Sequence, residues 1–442
     1  MNQHNNSHNR RRNVKVESPF LISQIDPSVF SRREFLISGL LSSAMLFIGS
    51  AAWAKDPEER VKVGFIYPDS GEMEQEAKSL MSGFDLFFDK DGPCPVDLFK
   101  KPFQSNSDGI EETLQKWIND GNVRFIVLFA DVESSEKAIR TFASAGTILF
   151  VANRSVKLVS GEVCNTNVFR VSANNYVLSE PLAPWAIKNC GTKVFITGDN
   201  DRDANEKSDF FAFGFERAGG EFADRVMSDG SDESLQSVLK SIANSGPDFV
   251  FACFKGHSAE NFLKAFSAQD PKSRKTVIGP ETLTSFDVES GANREMILNV
   301  PTLTNVLNPE SIKSKIVHLY GEMPSSITRV SEGHDLGQII DILAKEQILH
   351  TKDFETLLKY VADLKFNGLR GAFRFDKNHD AIVESWVTTR EARPGGGFSQ
   401  KVLATLGSSE SLDFGCGKVG YSGNHHDSAS SDADGVWEEN GN

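Results

Sequence analysis

The stretch Val127–Ser135, VLFADVESS, runs from an apolar segment straight into two acids, Asp131 and Glu133, and then two serines. A strand end of this make-up could cradle a phosphate, form a catalytic corner, cap a helix or line the lip of a ligand cleft. Other chemistry-bearing residues say less. Cys253 and His257 have the spacing of a thiol–imidazole pair, but a strand-to-helix turn more often carries a packing thiol and a cleft histidine. Ser331, His334 and Asp335 fall within about one helical turn, whereas a triad is defined by spatial geometry. Gly415–Gly420 fits G-x-G-x-x-G but lacks a strand before it and a helix after it. His425, His426 and Asp427 lie in a polar tail and form a weak metal motif. There is no Walker-type phosphate loop and no zinc-spaced cysteine cluster, so no catalytic residue, cofactor or metal is expected.

The elements that must position these residues alternate. VKVGFIY (61–67) reads as a strand and 71–90 as a helix, followed by strand 96–101 and helix 108–121. Strand 123–130, helix 135–146 and strand 147–153 come next. The pattern resumes with strand 192–198, helices 205–220 and 234–246, strand 247–254, helix 258–269 and strand 275–279. Continuous apolar strands between amphipathic helices predict parallel sheets covered on both faces. One sheet ends before about residue 172 and a second follows. A helical stretch occupies about 309–363, and 417–442 reads as a disordered tail rich in Gly, Ser, Asp and Asn.

The chain has 442 residues and a net charge of −14. So acidic a surface repels phosphate backbones, which argues against nucleic acid as a partner. At the N-terminus, Arg32 and Arg33 precede an apolar run, Phe35–Ile48, that ends in Ala52-Trp53-Ala54. The run is broken by serines and glycine and is shorter than the roughly 20 residues of a comfortable span. It reads as an export signal cut after Ala54, with S-R-R-E-F-L resembling a twin-arginine signal. The five cysteines, Cys94, Cys164, Cys190, Cys253 and Cys416, would then be in a disulfide-permissive compartment. Their number is odd and their pairing is open; Cys253, in an apolar run, is expected as a buried free thiol.

In this order the segments resemble the type I periplasmic solute-binding proteins, in particular the branched-chain amino-acid (Leu/Ile/Val-binding) receptors of ABC transporters. The residues carrying the resemblance are VKVGFIYPDSGEMEQEAKSLMSGFDLFF, LQKWINDGNVRFIVLFADVESSEKAI, NVFRVSANN (167–175), GPDFVFACFKGHSAENFLKAF (246–266) and FNGLRGAFRFDKNHD (366–380). The resemblance implies an α/β fold of two Rossmann-like lobes with parallel-type sheets, joined by three hinge crossovers. Those would lie near Arg170–Asn174, Asn299–Leu303 and Phe375–Asp380. Residues 1–54 would be the signal peptide, 55–172 with 300–377 the first lobe, and 173–299 with 378–412 the second. Residues 413–442 would form a disordered acidic tail. Gly371 would permit a tight backbone before the last strand.

Ligand contacts implied by position fall on the strand-end loops. In the first lobe they are Tyr67, Ala130, Asp131, Ser134, Ser135, Asn153 and Ser155. In the second they are Arg202, Asp203, Lys255, His257, Ser258 and Glu281. Ser134 and Ser135 could cap the following helix as well as meet a ligand. Asp131 and Glu133 would repel a carboxylate there, so a cationic, neutral polar or metal-associated ligand competes with an amino acid. The implied function is a periplasmic receptor that closes on a small-molecule ligand and delivers it to a membrane permease, without enzymatic chemistry. The alternative is a periplasmic sensor or accessory protein of a redox or signalling system that keeps the fold without transport.

Overall fold

A computed structural model describes residues 60–71, 73–88, 96–103, 109–119, 123–142, 146–272, 274–285, 295–307, 309–321, 324–345, 353–394 and 397–416. The export signal, its cleavage after Ala54, Cys94 and the histidines of the tail lie outside the described residues.

The first sheet is built from β1 (Val61–Pro68), β2 (Val96–Phe103), β3 (Phe125–Leu128), β4 (Ile148–Val151) and β5 (Val168–Arg170), all parallel, in the order β2-β1-β3-β4-β5. β3 and β4 are buried at every residue, which is why they read as unbroken apolar runs. Helices α1 (Glu74–Phe88), α2 (Ile110–Asn119) and α3 (Val132–Thr141) follow β1, β2 and β3. Side chains of β3 divide between two core clusters. Phe125 and Val127 join the cluster containing Leu80 and Phe84 of α1, and Ile126 and Leu128 the one containing Leu114 and Ile139 of α2 and α3.

The second sheet has seven strands, β6 (Lys193–Asp199), β7 (Glu221–Ser228), β8 (Phe249–Cys253), β9 (Thr276–Pro280), β10 (Thr302–Thr304), β14 (Glu384–Ala392) and β15 (Phe398–Ser408), in the order β15-β14-β10-β9-β8-β6-β7. From β7 to β10 the pairing is parallel; β14 and β15 close the flank antiparallel. Helices α4 (Leu182–Asn189), α5 (Arg202–Arg217), α6 (Asp232–Ser245) and α7 (Gly256–Ser267) belong with it. A small antiparallel sheet, β11 (Lys365–Gly368), β12 (Gly371–Phe375) and β13 (Ala381–Ile382), precedes β14, and Gly371 has a φ of +81° at its turn. The protein is therefore two α/β lobes with mostly parallel sheets. Among the described residues no helix is long and apolar enough to cross a membrane.

The helical stretch resolves into α8 (Pro309–Tyr320), α9 (Ile327–Lys345) and α10 (Phe354–Ala362). Two glycines dock it on the first lobe. A Cβ on Gly83 of α1 would come within 1.9 Å of the Val330 carbonyl oxygen, and one on Gly333 of α9 within 1.9 Å of the Leu80 carbonyl oxygen. The α1 and α9 backbones approach so closely that any side chain at either position would push them apart.

Two expected boundaries move. Thr302–Thr304, placed with the first lobe by a boundary at residue 300, pairs with β9 and β14 of the second sheet. The chain therefore leaves that sheet only after Thr304; a three-residue strand is too short to show a period. Residues 413–416, expected as part of the tail, are ordered against the lobes. Cys416 forms a disulfide with Cys164, the Phe414 N–H donates to the Ser160 carbonyl at 2.9 Å, and the Phe414 ring packs against Tyr176 and Phe210. Cys253 is a buried free thiol, and Cys190 is also free. The crossovers are tied to one another. The Asp380 carboxylate meets Arg170 at 3.1 Å and accepts from Asn174 at 2.9 Å, while Asn305 donates to the Glu384 carbonyl and the Ser385 hydroxyl.

Candidate functional site

The strand-end loops of the two sheets meet where the loop after β4 reaches Glu206 of α5, and in open α/β sheets ligands bind at such carboxyl ends. Their local roles come first. Asp131 is the N-cap of α3 and accepts from the Ser134 N–H at 2.8 Å and the Ser134 hydroxyl at 2.6 Å. The helix consequently starts at Val132, three residues earlier than its apolar pattern suggests. Glu133 points to water and pairs with Lys137 one turn on. These acids are thus a cap and a surface pair. Ser135 is fully buried and its hydroxyl donates to the Ala130 carbonyl; Ala130 is fully buried too and also accepts from Asn153. Ala130 and Ser135 are therefore out of a ligand's reach in this conformation, and Ser134 spends its hydroxyl on Asp131.

Asn153 and Ser155 shape the loop after β4. The Ser155 N–H donates to the Asn153 side chain at 2.8 Å, and the Ser155 hydroxyl reaches Glu206 of α5 at 3.1 Å. Glu206 also accepts from Val156 N–H and from Asn175, at 3.2 and 2.5 Å, so this carboxylate joins the second lobe to the first. Between the two predicted residues stands Arg154, which sequence reasoning passed over. It pairs with Glu332 of α9 at 3.3 Å, and its Nε is buried with no hydrogen-bond partner among the described residues.

Glu332 is the centre of a buried network. Its carboxylate accepts from Arg329 at 2.8 Å and from the Ser172 hydroxyl at 2.8 Å. Arg329 also donates to the Ala152 carbonyl at 2.7 Å and to Glu76 at 2.8 Å, and lies over the Phe129 ring at 4.8 Å. Burial alone would raise the Glu332 pKa, but the charges of Arg329, Arg154 and Arg370 outweigh it and hold the carboxyl at about 2. Glu76 is likewise enclosed, which would raise its pKa, and is held below the ordinary range by Arg329 and Arg154.

The second lobe supplies the facing charges. Asp203, in the first turn of α5, pairs with Lys207 at 2.5 Å; Lys255, at the start of α7, pairs with Asp201 at 2.9 Å. Burial would raise the Asp203 pKa, but Lys207 and then Arg154 and Lys255 hold it well down. Burial would lower the Lys255 pKa, but Asp201, Asp203 and Glu76 push it up. The fields thus act across the lobes: Asp203 feels Arg154, and Lys255 feels Glu76. Both acids are surrounded by protein yet keep 38% (Glu76) and 37% (Asp203) of their side chains open to water, as residues lining a cleft do.

The remaining predicted residues are spread out. Tyr67 is half-buried with its ring edge-on to Phe65; Arg202 is exposed beside Asp203. His257 is 83% exposed and 3.6 Å from Glu260, while the Ser258 hydroxyl donates to the Lys255 carbonyl at 2.8 Å. Glu281 accepts from the hydroxyls of Thr304 and Thr328 and lines a separate cavity. Missed were Glu76, Arg154, Arg329 and Glu332. The one local signal for them was the i,i+3 spacing of Arg329 and Glu332 within the helical stretch.

Two α/β lobes with charged strand-end loops in apposition define a two-lobed binding protein. The chain belongs to the periplasmic binding protein family, whose model matches residues 60–393. No curated protein sequence matches it. Among solved structures it is similar to an ABC-transporter solute-binding protein from R. palustris in complex with benzoate. The identity is 20% and the TM-score 0.65, over 81% of this chain and 100% of that one. It is also similar to an ABC-transporter substrate-binding protein from Sphaerobacter thermophilus (18%, TM-score 0.68, 80% and 100%). A leucine-binding protein from Thermotoga maritima shares the fold as well (18%, TM-score 0.59, 78% and 99%).

Proposed function

We propose that this chain is an exported receptor that closes its two lobes on a small polar or charged solute and presents it to a membrane permease. One observation carries the reading: Glu76 and Arg154 from the first lobe and Asp203 and Lys255 from the second lie close enough for their charges to act on one another, while Glu76 and Asp203 keep 38% and 37% of their side chains open to water. A solute bearing both donors and acceptors can replace water between those groups, and closure then buries it. The solute is chosen by complementarity to these charges, and no bond is made or broken. The solved relatives described as complexed with benzoate or as leucine-binding make aromatic acids and branched-chain amino acids the first compounds to try.

Thermal unfolding of the exported chain with leucine, glutamate, benzoate, 4-hydroxybenzoate, polyols and amides tests the reading. One compound class is expected to raise Tm in proportion to log concentration, and Arg154→Gln or Lys255→Gln to abolish the shift. If no compound moves Tm, the receptor reading fails and the non-transporting sensor or accessory role takes its place.

A further inference from the structure

A cavity of about 360 Å³ lies where the antiparallel flank of the second sheet faces the chain between α8 and α9. It shares no residue with the Glu76, Arg154, Asp203 and Lys255 cluster. Its charged groups are Glu281, Glu310, Lys313 and Arg390. Three of them are satisfied internally. Glu310 and Lys313 pair at 3.3 Å, and Glu281 accepts from the hydroxyls of Thr304 and Thr328. Gln400 is engaged as well, donating to the Val306 carbonyl at 3.1 Å and toward the Thr388 hydroxyl at 3.4 Å.

Arg390 differs. It stands on β14, partly buried, and among the described residues its guanidinium has no hydrogen-bond acceptor and no paired carboxylate. It lies over the Phe398 ring, 6.0 Å from the centroid. Burial works against its charge, and Glu281 and Glu310 offset that only through space. A guanidinium presents five donors and no acceptor, so leaving it partly dehydrated and unpaired is unfavourable.

We propose that this cavity is a second small-molecule site, which takes a monocarboxylate through a two-pronged pairing with Arg390. The planar fork of arginine matches a carboxylate in this way. With Glu310 and Lys313 cancelling, Glu281 makes a second negative charge on the ligand unfavourable, so a monocarboxylate is preferred over a dicarboxylate or a phosphate. The Phe398 face and the surrounding threonine and serine hydroxyls suit a small flat acid with one further polar group. A volume of about 360 Å³ is at the small end of ligand pockets, which run from roughly 300 to 1,000 Å³. One wall is the second sheet and the other belongs to the α8–α9 segment docked on the first lobe, so an occupant favours the closed arrangement.

The test uses benzoate as the acid and benzamide as its uncharged isostere, with isothermal titration on the full chain. Benzoate is expected to bind and benzamide at least tenfold more weakly. Arg390→Gln is expected to lower benzoate affinity at least tenfold and, without ligand, to unfold at the same or a higher temperature than wild type, because an unpaired charge has been removed. Unchanged benzoate affinity in Arg390→Gln overturns the proposal, as does the absence of benzoate binding. So does a marked loss of stability in the ligand-free variant, which would make Arg390 a structural residue. Benzoate binding that survives Arg390→Gln and is lost in Arg154→Gln would move the carboxylate to the strand-end cleft, defeating this proposal while sustaining the receptor reading.

Discussion

On the first-lobe wall of the cleft, Arg154, Arg329 and Glu332 keep 11%, 6% and 0% of their side chains in water, and the Glu332 carboxylate meets both arginines; Glu76, at 38%, pairs with Arg329 at the open edge. On the second-lobe wall, Asp203 and Lys255 keep 37% and 44%; Asp203 pairs with Lys207 one turn on in α5, and Lys255, at the start of α7, pairs with Asp201 at the start of α5. The first wall is a preorganised network held by an α9 that packs against α1 through Gly83 and Gly333. The second is a set of helix-start charges free to change partner. A binding protein that closes needs both: one face that holds its geometry and one whose charges can be taken over by a ligand.

The largest expected effect is on the buried network. Glu332→Gln leaves Arg329 and Arg154 without their shared counter-charge, and losing one member of a buried pair costs about 3–5 kcal/mol. Urea unfolding should show that loss. The sign of the pH effect follows. With a folded pKa of about 2 against an ordinary 4.5, Glu332 contributes stability fully present above about pH 4.5, and that contribution is lost as pH falls toward 2. The variant should lack that part of the acid slope. Equal stability of variant and wild type at pH 7 would erase the contrast between the walls.

A smaller loss is expected at the Cys164–Cys416 disulfide, which joins positions 252 residues apart. The segment ending at Cys416 leaves the second sheet after β15, packs Phe414 on Phe210 of α5, and is covalently held to the loop before β5. Cys416→Ser should lower stability by about 2–4 kcal/mol, and a reducing agent should reproduce the drop in wild type but add nothing to the variant. No effect of either would mean that the strap does not join the lobes energetically.

Smallest is Asp203→Asn. The Asp203 side chain is 37% exposed but the Lys207 side chain is only 3% exposed, so the stability change should lie between the exposed-pair value of about 1 kcal/mol and the buried-pair value of about 3 kcal/mol. Small-angle scattering of the ligand-free variant should nevertheless show a larger radius of gyration, because one cross-lobe attraction toward Arg154 is gone. A stability loss as large as that of Glu332→Gln would make the second wall as rigid as the first.

Much of the architecture was legible. β1, β3, β4, β6 and β8 are buried on both faces, so they show as apolar runs. β7 was missed because it is an edge strand, EFADRVMS, with four of its eight residues outside the apolar class and three of those exposed. β14 and β15 were missed because charged and hydroxyl residues break their apolar pattern. In the site, Asp203 and Lys255 could be placed because strand-end loops are where such folds bind. Glu332 and Arg329 could not, since a charged residue in a helix normally signals a wet face, and α9 is buried almost all round.

By itself the sequence determined most of the alternation of strands and helices, hence two parallel sheets and the loops at their carboxyl ends, because a local period of apolar residues is enough to specify an element whose faces are buried. Only the tertiary structure decided that Arg154 meets Glu332, 178 positions away, that Glu76 meets Arg329, 253 positions away, and that Cys164 meets Cys416. Such pairings leave no periodic trace. They exist because the close α1–α9 crossing and the returning C-terminal segment bring distant side chains into one enclosed space, where an unpaired charge would be too costly to leave.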